Sequence, residues 1–256
     1  MDIHPTAIIH KKAQIADNVK IGPYTCVGAN VKIAKGCDIG AHCVLDGYAE
    51  IGENCKFFTG AIIGSIPQDL KFKGEKTGLK IGNNNTIREY VTINTGTSAN
   101  GNTIIGNNNL LMAYSHVAHD CKVGNDCIVA NSGTLAGFVT LEDKVVIGGL
   151  VAVHQFVRVG TLSIVGGCSK VVQDIPPYST CDGHPTKVYG LNLVGLRRCG
   201  VSKQVISNLK HAFKILFFSE LSFKHAIEQI QKEIPGCKEI SYLIDFVKTS
   251  KRGICR

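Results

Sequence analysis

The chain of 256 residues contains no tryptophan, no C-x-x-C pair and no apolar run long enough for a membrane helix, which needs roughly 18 to 20 consecutive residues. The first absence leaves a core to be built from aliphatics, which are plentiful, and with moderate charge this reads as a folded, soluble protein. The second argues against the common cysteine-based metal frameworks. The third argues against stable membrane insertion. Met1-Asp2-Ile3-His4-Pro5 offers neither a basic stretch nor an apolar one, so no secretory signal is expected. Eleven cysteines are present, an odd number. Without a signal, a reducing cytoplasm and free thiols are the expectation.

Acidic residues are scarce in one place. Residues 192–256 hold 12 Lys and Arg against 5 Asp and Glu, whereas the first 191 residues hold 16 against 15. Nearly all of the +8 formal charge therefore sits on the last quarter, which suggests an acidic partner docking there.

What the chain does have is a period of six. From Ile3 to Val171 there are 29 positions in that phase, and 26 are Ile, Leu, Val or Phe. Neither an α-helix nor a plain alternating strand repeats at six. A solenoid of short strands and tight corners does, with three units to an eighteen-residue triangular coil. Cys37, Cys43, Cys55, Cys121 and Cys127 all fall four residues after an in-phase aliphatic, where a small buried hydrophobe fits. Three residues after it come Asn18, Asn30, Gly36, Asn54, Asn84, Asn108 and Asp126, types that tolerate positive φ at a corner.

The phase is broken at Asp69, Glu75 and Ala99. Residues 64–80 and 94–104 are expected to be loops leaving a prism. Long loops on a rigid scaffold tend to carry binding groups, and tolerated insertion is the plain alternative, above all for the second. After Val171 the period fades through Pro176-Pro177 and Gly183-His184-Pro185. Helical spacing follows in Val205, Leu209, Ala212, Phe213 and Leu216 behind a Ser202 cap, with a second helix behind Ser222 and a third around Ile240–Val247. The domains expected are a β-helix over 1–185 and a basic helical domain over 192–256.

Eighteen-residue coils predict which residues stack. His119 falls at a corner, with Gly137 one coil on, and Gln155 beside His154 two coils on; His116 points outward from its strand. One groove along the prism collects them. A His near a substrate hydroxyl is the usual base at neutral pH. Asp120 could fix its tautomer, and Gly137 could offer a bare backbone N–H to a developing oxyanion. Asp120 is equally at home as a structural corner residue. Three His around a zinc ion is a rival, but His154 lies two coils away within one chain, so no metal is expected.

The run His116-Val-Ala-His119-Asp120-Cys-Lys-Val-Gly124-Asn125, with Gln68-Asp69-Leu-Lys71, Ala152-Val-His154-Gln155-Phe156, Val165-Gly-Gly167-Cys-Ser and Pro176-Pro177-Tyr178, resembles the UDP-N-acetylglucosamine 3-O-acyltransferases within the hexapeptide acyltransferases. The resemblance covers the whole chain. It implies a mainly β fold, a left-handed parallel β-helix of hexapeptide repeats with a C-terminal helical domain. It implies a cytoplasmic homotrimer with active sites between adjacent prisms, which transfers a 3-hydroxyacyl chain from acyl carrier protein to the sugar's 3-position, the first step of lipid A synthesis. No cofactor and no nucleic acid is expected.

By the same resemblance His119 is the base, Asp120 supports it and Gly137 contributes to the oxyanion site. Asp69 and Lys71, with Gln68 beside them, contact the acceptor sugar. His116, Gln155, Asn192 and Arg198 hold the UDP-sugar, and His154 helps position it or the acyl chain. The pairs Gly148-Gly149 and Gly166-Gly167 lie eighteen residues apart, so they should stack and leave either a lane for hydrocarbon or a packing surface between subunits. The resemblance favours the lane, because the position matching Gly167 limits acyl length in the family. The chain departs from the commonest pattern at Phe138 and Asn94, where His is usual, and at Cys199, where Arg is usual; whether the acceptor group is a 3-hydroxyl or a 3-amino stays open. The other functions considered are an acetyl-CoA-dependent acetyltransferase, a γ-type carbonic anhydrase and a non-catalytic scaffold.

Overall fold

In-phase aliphatics form most of the interior of the prism, with out-of-phase residues such as Val19, Cys37 and Ala61 buried beside them. A computed structural model describes residues 2–99 and 101–256; Met1, and Asn100 within the second expected loop, lie outside the described residues. Three sheets of 11, 9 and 8 strands run along the molecule, each strand pairing in parallel with its counterpart one coil away except for a final hairpin. This is the mainly β, left-handed parallel β-helix expected, followed by short helices. Val117, Leu135, Val153 and Val171 form one of the buried columns. Fully burying each such side chain contributes roughly 1.5–3 kcal/mol. The five in-frame cysteines are buried and free among them. Burial pushes the Cys127 thiol up to about 11 and Cys121 to about 12, so they are inert packing groups.

The corners differ from the expectation in one respect. Asn18, Asn54 and Asp126 do take positive φ, but Asn30 is not among the positive-φ residues, whereas Tyr24, Tyr114, Phe138, Leu150 and Phe156 are. The left-handed conformation costs such residues roughly 1–2 kcal/mol. Most of these corners offset it by a hydrogen bond to the coil below, as in Phe138 N–H to His119 O at 3.0 Å and Leu150 N–H to Asn131 O at 2.9 Å. The position dictates the conformation; the residue type is then free to serve the surface.

Two loops interrupt the coil without spoiling its phase. Phe57 pairs with Ile87, thirty residues on, and Ile87 with Leu111, twenty-four on, against the regular eighteen of Val117 and Leu135. The insertions are thus twelve and six residues, both whole units. Both loops are shorter than expected, because strands run into them: Ile62–Ser65 and Gly78–Ile81 flank the first, Thr92–Asn94 and Asn102–Ile105 the second.

At the C-terminal end the fading repeat becomes an antiparallel hairpin, Ser179–Gly183 with Thr186–Leu191. Helices α1 (Leu193–Arg198), α2 (Lys203–Phe217), α3 (Phe223–Glu233) and α4 (Lys238–Thr249) follow, with Ser202 and Ser222 capping α2 and α3 as the sequence suggests. Among the described residues no helix is long and apolar enough to cross a membrane. A clasp ties α4 to the prism: the Tyr242 hydroxyl donates to Glu142 Oε2, Arg158 stacks on Phe246 at 3.7 Å and donates to Phe246 O at 3.1 Å.

Burial pushes the Glu142 carboxyl above its ordinary value, against the lowering effects of its Thr161 hydrogen bonds and of Arg158. A raised value in the folded state means that the protonated form is favoured by folding. Its contribution is fully present below about pH 4.5, the ordinary value, and is lost as pH rises through the folded value. Glu142→Gln removes that titration while keeping a hydrogen-bonding amide. The stability of the variant relative to the native protein, measured by urea unfolding, should therefore increase from pH 4 to pH 7; a constant difference would contradict the assignment.

Candidate active site

Both loops leave the prism at the same corner, between the strands of the nine-stranded and eight-stranded sheets, and the next coil turns that corner through Ala118-His119-Asp120-Cys121. This stacks loop-borne groups directly below the His119 corner. Asp120 takes φ 59°, which folds its carboxylate back beside the ring of its neighbour. His119 Nδ1 lies 2.9 Å from Asp120 Oδ2. A carboxylate can only accept, so the proton belongs on Nδ1 and the lone pair on Nε2.

The second loop holds the carboxylate. Thr97 Oγ1 donates to Asp120 Oδ2 at 2.6 Å, and the Thr97 N–H lies 3.1 and 3.2 Å from the two oxygens. Thr103 Oγ1 accepts from the Asp120 N–H at 2.9 Å. A Cβ on Gly96 would fall 2.9 Å from Asp120 Oδ1 and 2.7 Å from Gly101 C, so bare backbone is what lets this loop close over the acid. Neither threonine was singled out by the sequence, because the loop is aperiodic and carries no motif. His119 itself is buried, at 8 % exposure.

Gly137 supplies the floor beneath the imidazole. A Cβ there would come within 2.4 Å of His119 Cε1 and 2.6 Å of Nε2. Its N–H has no acceptor among the described residues. At another corner the equivalent N–H groups are capped: Asn107 N–H donates to Asn125 Oδ1 at 2.9 Å, and Asn125 N–H to Asp143 Oδ1 at 2.7 Å. The corner with His119 lacks that ladder, and the Gly137 donor is left open beside Nε2. A buried free donor next to a lone pair suits a reaction that develops an oxyanion.

His116 stands one strand position before Val117, its Nδ1 2.7 Å from Thr92 Oγ1. Burial first, then the charge on His119, hold it below its ordinary value, which favours the neutral ring. Phe138 meets the His119 ring edge-on at 5.4 Å and stacks on Phe156 at 4.9 Å. These two rings wall a cavity of about 310 Å³ with Asp69, Lys71, Phe72, Thr97, Ser98 and Gln155. Sequence spacing brought together His119, Gly137 and Gln155; it did not anticipate the aromatic wall, although Phe138 and Phe156 are eighteen residues apart.

Other expected residues stand apart from this cluster. Gln68 and His154 are exposed, and the ring of His154 turns back to Gln155 O at 3.2 Å. Asn192 is buried, with both ends of its amide committed: Oδ1 accepts from Gly195 N at 2.8 Å and Nδ2 donates to Leu162 O at 2.8 Å. Within the chain it caps α1, which presents Arg198 to solvent. Asn94 is buried with Nδ2 on Ile66 O at 3.1 Å and Oδ1 without a partner. The glycine pairs do stack, but unequally. A Cβ on Gly148 would strike Gly167 N at 2.6 Å, whereas one on Gly167 meets nothing nearer than Gly149 O at 3.3 Å. Only Gly149 and Gly167 leave open surface. Among the described residues no three His, Cys, Asp or Glu converge as a metal would require.

Comparison with known proteins agrees with this fold. A family described as Udp N-acetylglucosamine O-acyltransferase, domain 2, matches residues 174–255, and one of bacterial transferase hexapeptides matches 102–137; a third, the GMPPB C-terminal domain, matches 3–68. The acyl-[acyl-carrier-protein]–UDP-N-acetylglucosamine O-acyltransferase of Thermodesulfovibrio yellowstonii is 53 % identical over all of this chain and 99 % of its own length. That of Myxococcus xanthus is 46 % identical over 99 % of both. The solved UDP-N-acetylglucosamine acyltransferase of Bacteroides fragilis superposes with a TM-score of 0.96 at 45 % identity, covering 99 % of each chain.

The titration of His116 tests the electrostatics of the site without reference to any reaction. Nitrogen-15 NMR should find its midpoint below 6.5, the ordinary value. His119→Gln should raise that midpoint only part of the way, because burial is the larger cause. A midpoint at or above the ordinary value would show that the ring is not desolvated as described.

Proposed function

Since the chain belongs to the acyl-[acyl-carrier-protein]–UDP-N-acetylglucosamine O-acyltransferase family, and is an acyltransferase, we propose that it moves a 3-hydroxyacyl chain from acyl carrier protein to the 3-hydroxyl of UDP-N-acetylglucosamine, the first step of lipid A synthesis, in the cytoplasm. The observation that carries the reading is the placement of His119 Nε2 beside the open N–H of Gly137, with Nδ1 anchored on Asp120. His119 Nε2 takes the proton of the sugar hydroxyl as that oxygen attacks the thioester carbonyl. The tetrahedral oxyanion accepts a hydrogen bond from Gly137 N–H. Collapse breaks the C–S bond, and the protonated Nε2 returns its proton to the departing thiolate. Asp120, held by Thr97, steadies the transient imidazolium.

Asp69 and Lys71, with Gln68, reach the acceptor sugar from the first loop, and Gln155 shares their cavity. His116 is neutral and positions the UDP-sugar, with His154 beside it. Arg198 offers its cation to the diphosphate, and Asn192 serves by fixing the helix that carries it. Gly149 and Gly167 form the lane for the acyl chain. The carrier docks on the basic helices through the exposed Lys203, Lys210 and Lys214.

The active assembly is a homotrimer, in this reading, with sites between prisms. Ile8, Val44 and Ile62 stand outward in one register on the nine-stranded sheet, where they are exposed. Exposed Tyr24, Tyr90, Tyr114 and Leu150 follow along the adjoining corner. An apolar strip of this length is an interface awaiting a partner, and it runs up the face that bears His116.

In an assay with 3-hydroxyacyl carrier protein and UDP-N-acetylglucosamine, His119→Ala should lower kcat at least ~10²-fold in a folded trimer, since general-base catalysis supplies ~10²–10⁴. His116→Ala should raise KM for the UDP-sugar more than it lowers kcat. Near-native turnover by folded His119→Ala would remove the base from the mechanism.

The open surface at Gly167 makes a separate point. Each buried methylene contributes roughly 0.8 kcal/mol, so obstructing the lane should penalise long donors selectively. Gly167→Met is expected to shift preference to chains several carbons shorter, with the short-chain rate kept. Equal loss with all donors would mean that Gly167 packs between subunits and the chain lies elsewhere.

A further inference from the structure

Cys181 and Cys255 stand 74 residues apart in the chain, yet their sulfurs lie 4.0 Å from one another in the interior. Cys181 sits on the hairpin strand Ser179–Gly183, which extends the eleven-stranded sheet. Its thiol donates to Ser179 Oγ at 3.2 Å, which leaves its sulfur free to accept from the Cys255 thiol. Neither cysteine has a part in the site around His119.

Cys255 belongs to the segment that follows α4 and crosses back over the end of the prism. Arg252 donates to Val172 O at 3.2 Å, Gly253 O accepts from Asp174 N–H at 2.8 Å, and Cys255 N–H donates to Asp174 O at 3.0 Å. Arg256 then donates to Ser219 O and Leu221 O, at the turn between α2 and α3. The segment therefore ties the helices to the prism. Its Lys251 and Arg252, with Asp120, Phe138 and Phe156, also line a second cavity of about 500 Å³.

We propose that Cys181 and Cys255 are a redox-sensitive pair that closes into a disulfide and locks the segment after α4 onto the prism. The contrast is with Cys37 and Cys55, which stack one coil apart. Those thiols donate to Gly52 O and Gly82 O at 3.1 Å inside the ladder, where only unwinding the coil would admit an oxidant. The segment after α4 rests on Asp174 through the two backbone hydrogen bonds above, and Lys251, Gly253 and Arg256 around Cys255 are exposed. Local opening there bares Cys255 and leaves the coil intact. While the segment is closed, the hydrogen bond to Cys181 and then burial push the Cys255 thiol well up. The resting pair is thus unreactive, because the thiolate is the nucleophile.

In the opened segment the Cys255 thiolate attacks one oxygen of hydrogen peroxide. The O–O bond breaks, and the released hydroxide takes up a proton as water. The segment closes again and brings the sulfenic acid to Cys181. The Cys181 sulfur attacks the Cys255 sulfur, the S–O bond breaks, and the Cys181 proton leaves with the hydroxide as a second water. Two thiols and one peroxide give one disulfide and two waters. The sulfurs must approach to about 2.05 Å, by side-chain rotation and a small shift of the segment. Exchange with a cellular thiol reverses the step. The cross-link encloses all four helices in one covalent ring, which restricts the unfolded chain and so favours the folded one.

Treatment of the full-length protein with hydrogen peroxide, followed by alkylation in denaturant and peptide mapping by mass spectrometry, tests the pair. The exposed Cys168 and Cys199 report that the oxidant has acted. A linked peptide pair holding Cys181 and Cys255 is expected, and dithiothreitol should separate it. If both remain thiols after Cys168 and Cys199 have reacted, or join other cysteines, the proposal is overturned. Cys181→Ser should leave Cys255 as a sulfenic acid that dimedone traps, and Cys255→Ser should leave Cys181 a thiol. The Tm of the native protein should rise by several degrees on oxidation and return on reduction, with no such rise in either variant. A disulfide that forms without raising Tm, or an equal rise in Cys255→Ser, would refute the lock. None of these readouts involves acyl transfer, so the result stands apart from the function proposed above.

Discussion

The structure depends on one backbone constraint: at nearly every sixth residue the chain turns through the left-handed region, and the corner N–H is bonded to the coil beneath. That bond makes an unfavourable conformation repeatable, and repetition places residues eighteen apart in vertical register. Three corner columns result, and each has been given different work. One carries Asn18, Asn54, Asn84, Asn108 and Asp126, beside the asparagine ladder that caps its neighbouring N–H groups. The second displays Tyr24, Tyr90, Tyr114 and Leu150 to solvent. The third takes left-handed non-glycine residues only above the loops, at Asp120, Phe138 and Phe156, and it carries His119.

That third corner explains why the loops and His119 are found together. A corner is the one part of the coil that can be lengthened without breaking a ladder, provided the insertion leaves the strands in phase. Insertions of twelve and six residues meet that condition. Placed one and two coils below His119, they bring Thr97 against Asp120 and Asp69 against the aromatic wall. The scaffold fixes where His119 stands, and the loops set what surrounds it.

The legible part of the sequence was the part governed by the repeat. The inward aliphatics, the buried cysteines and the stacking of His119, Gly137 and Gln155 follow from counting, because the coil leaves no freedom there. Corner conformation does not follow residue type: Asn30 suggests a left-handed corner and does not form one, whereas Tyr, Phe and Leu hold eight of the eighteen non-glycine positive-φ positions among the described residues. The support of Asp120 by Thr97 and Thr103 was hidden, since a loop has no period to count. Loop length was overdrawn for the reason that the insertions are whole units, so strand residues such as Gly78 and Asn102 look out of pattern although they pair in register. The resemblance makes Asn192 a ligand for the sugar, whereas within the chain its amide accepts from Gly195 N–H and donates to Leu162 O, contacts that no spacing rule announces.

Phe138 links these levels. Its position is fixed by the corner, its φ is 61°, and it projects between the edge of His119 and the face of Phe156 whatever its identity. Phe138 touches His119 and both cavities at once, yet contributes no hydrogen bond to the Asp120–His119 pair. Exchange of a polar ring for phenylalanine at this point can therefore change which molecules lie against the wall while the Asp120–His119 hydrogen bond, supported by Thr97, is unaltered. The corner allows specificity to vary on one side of the imidazole because its other side is locked by backbone and loop.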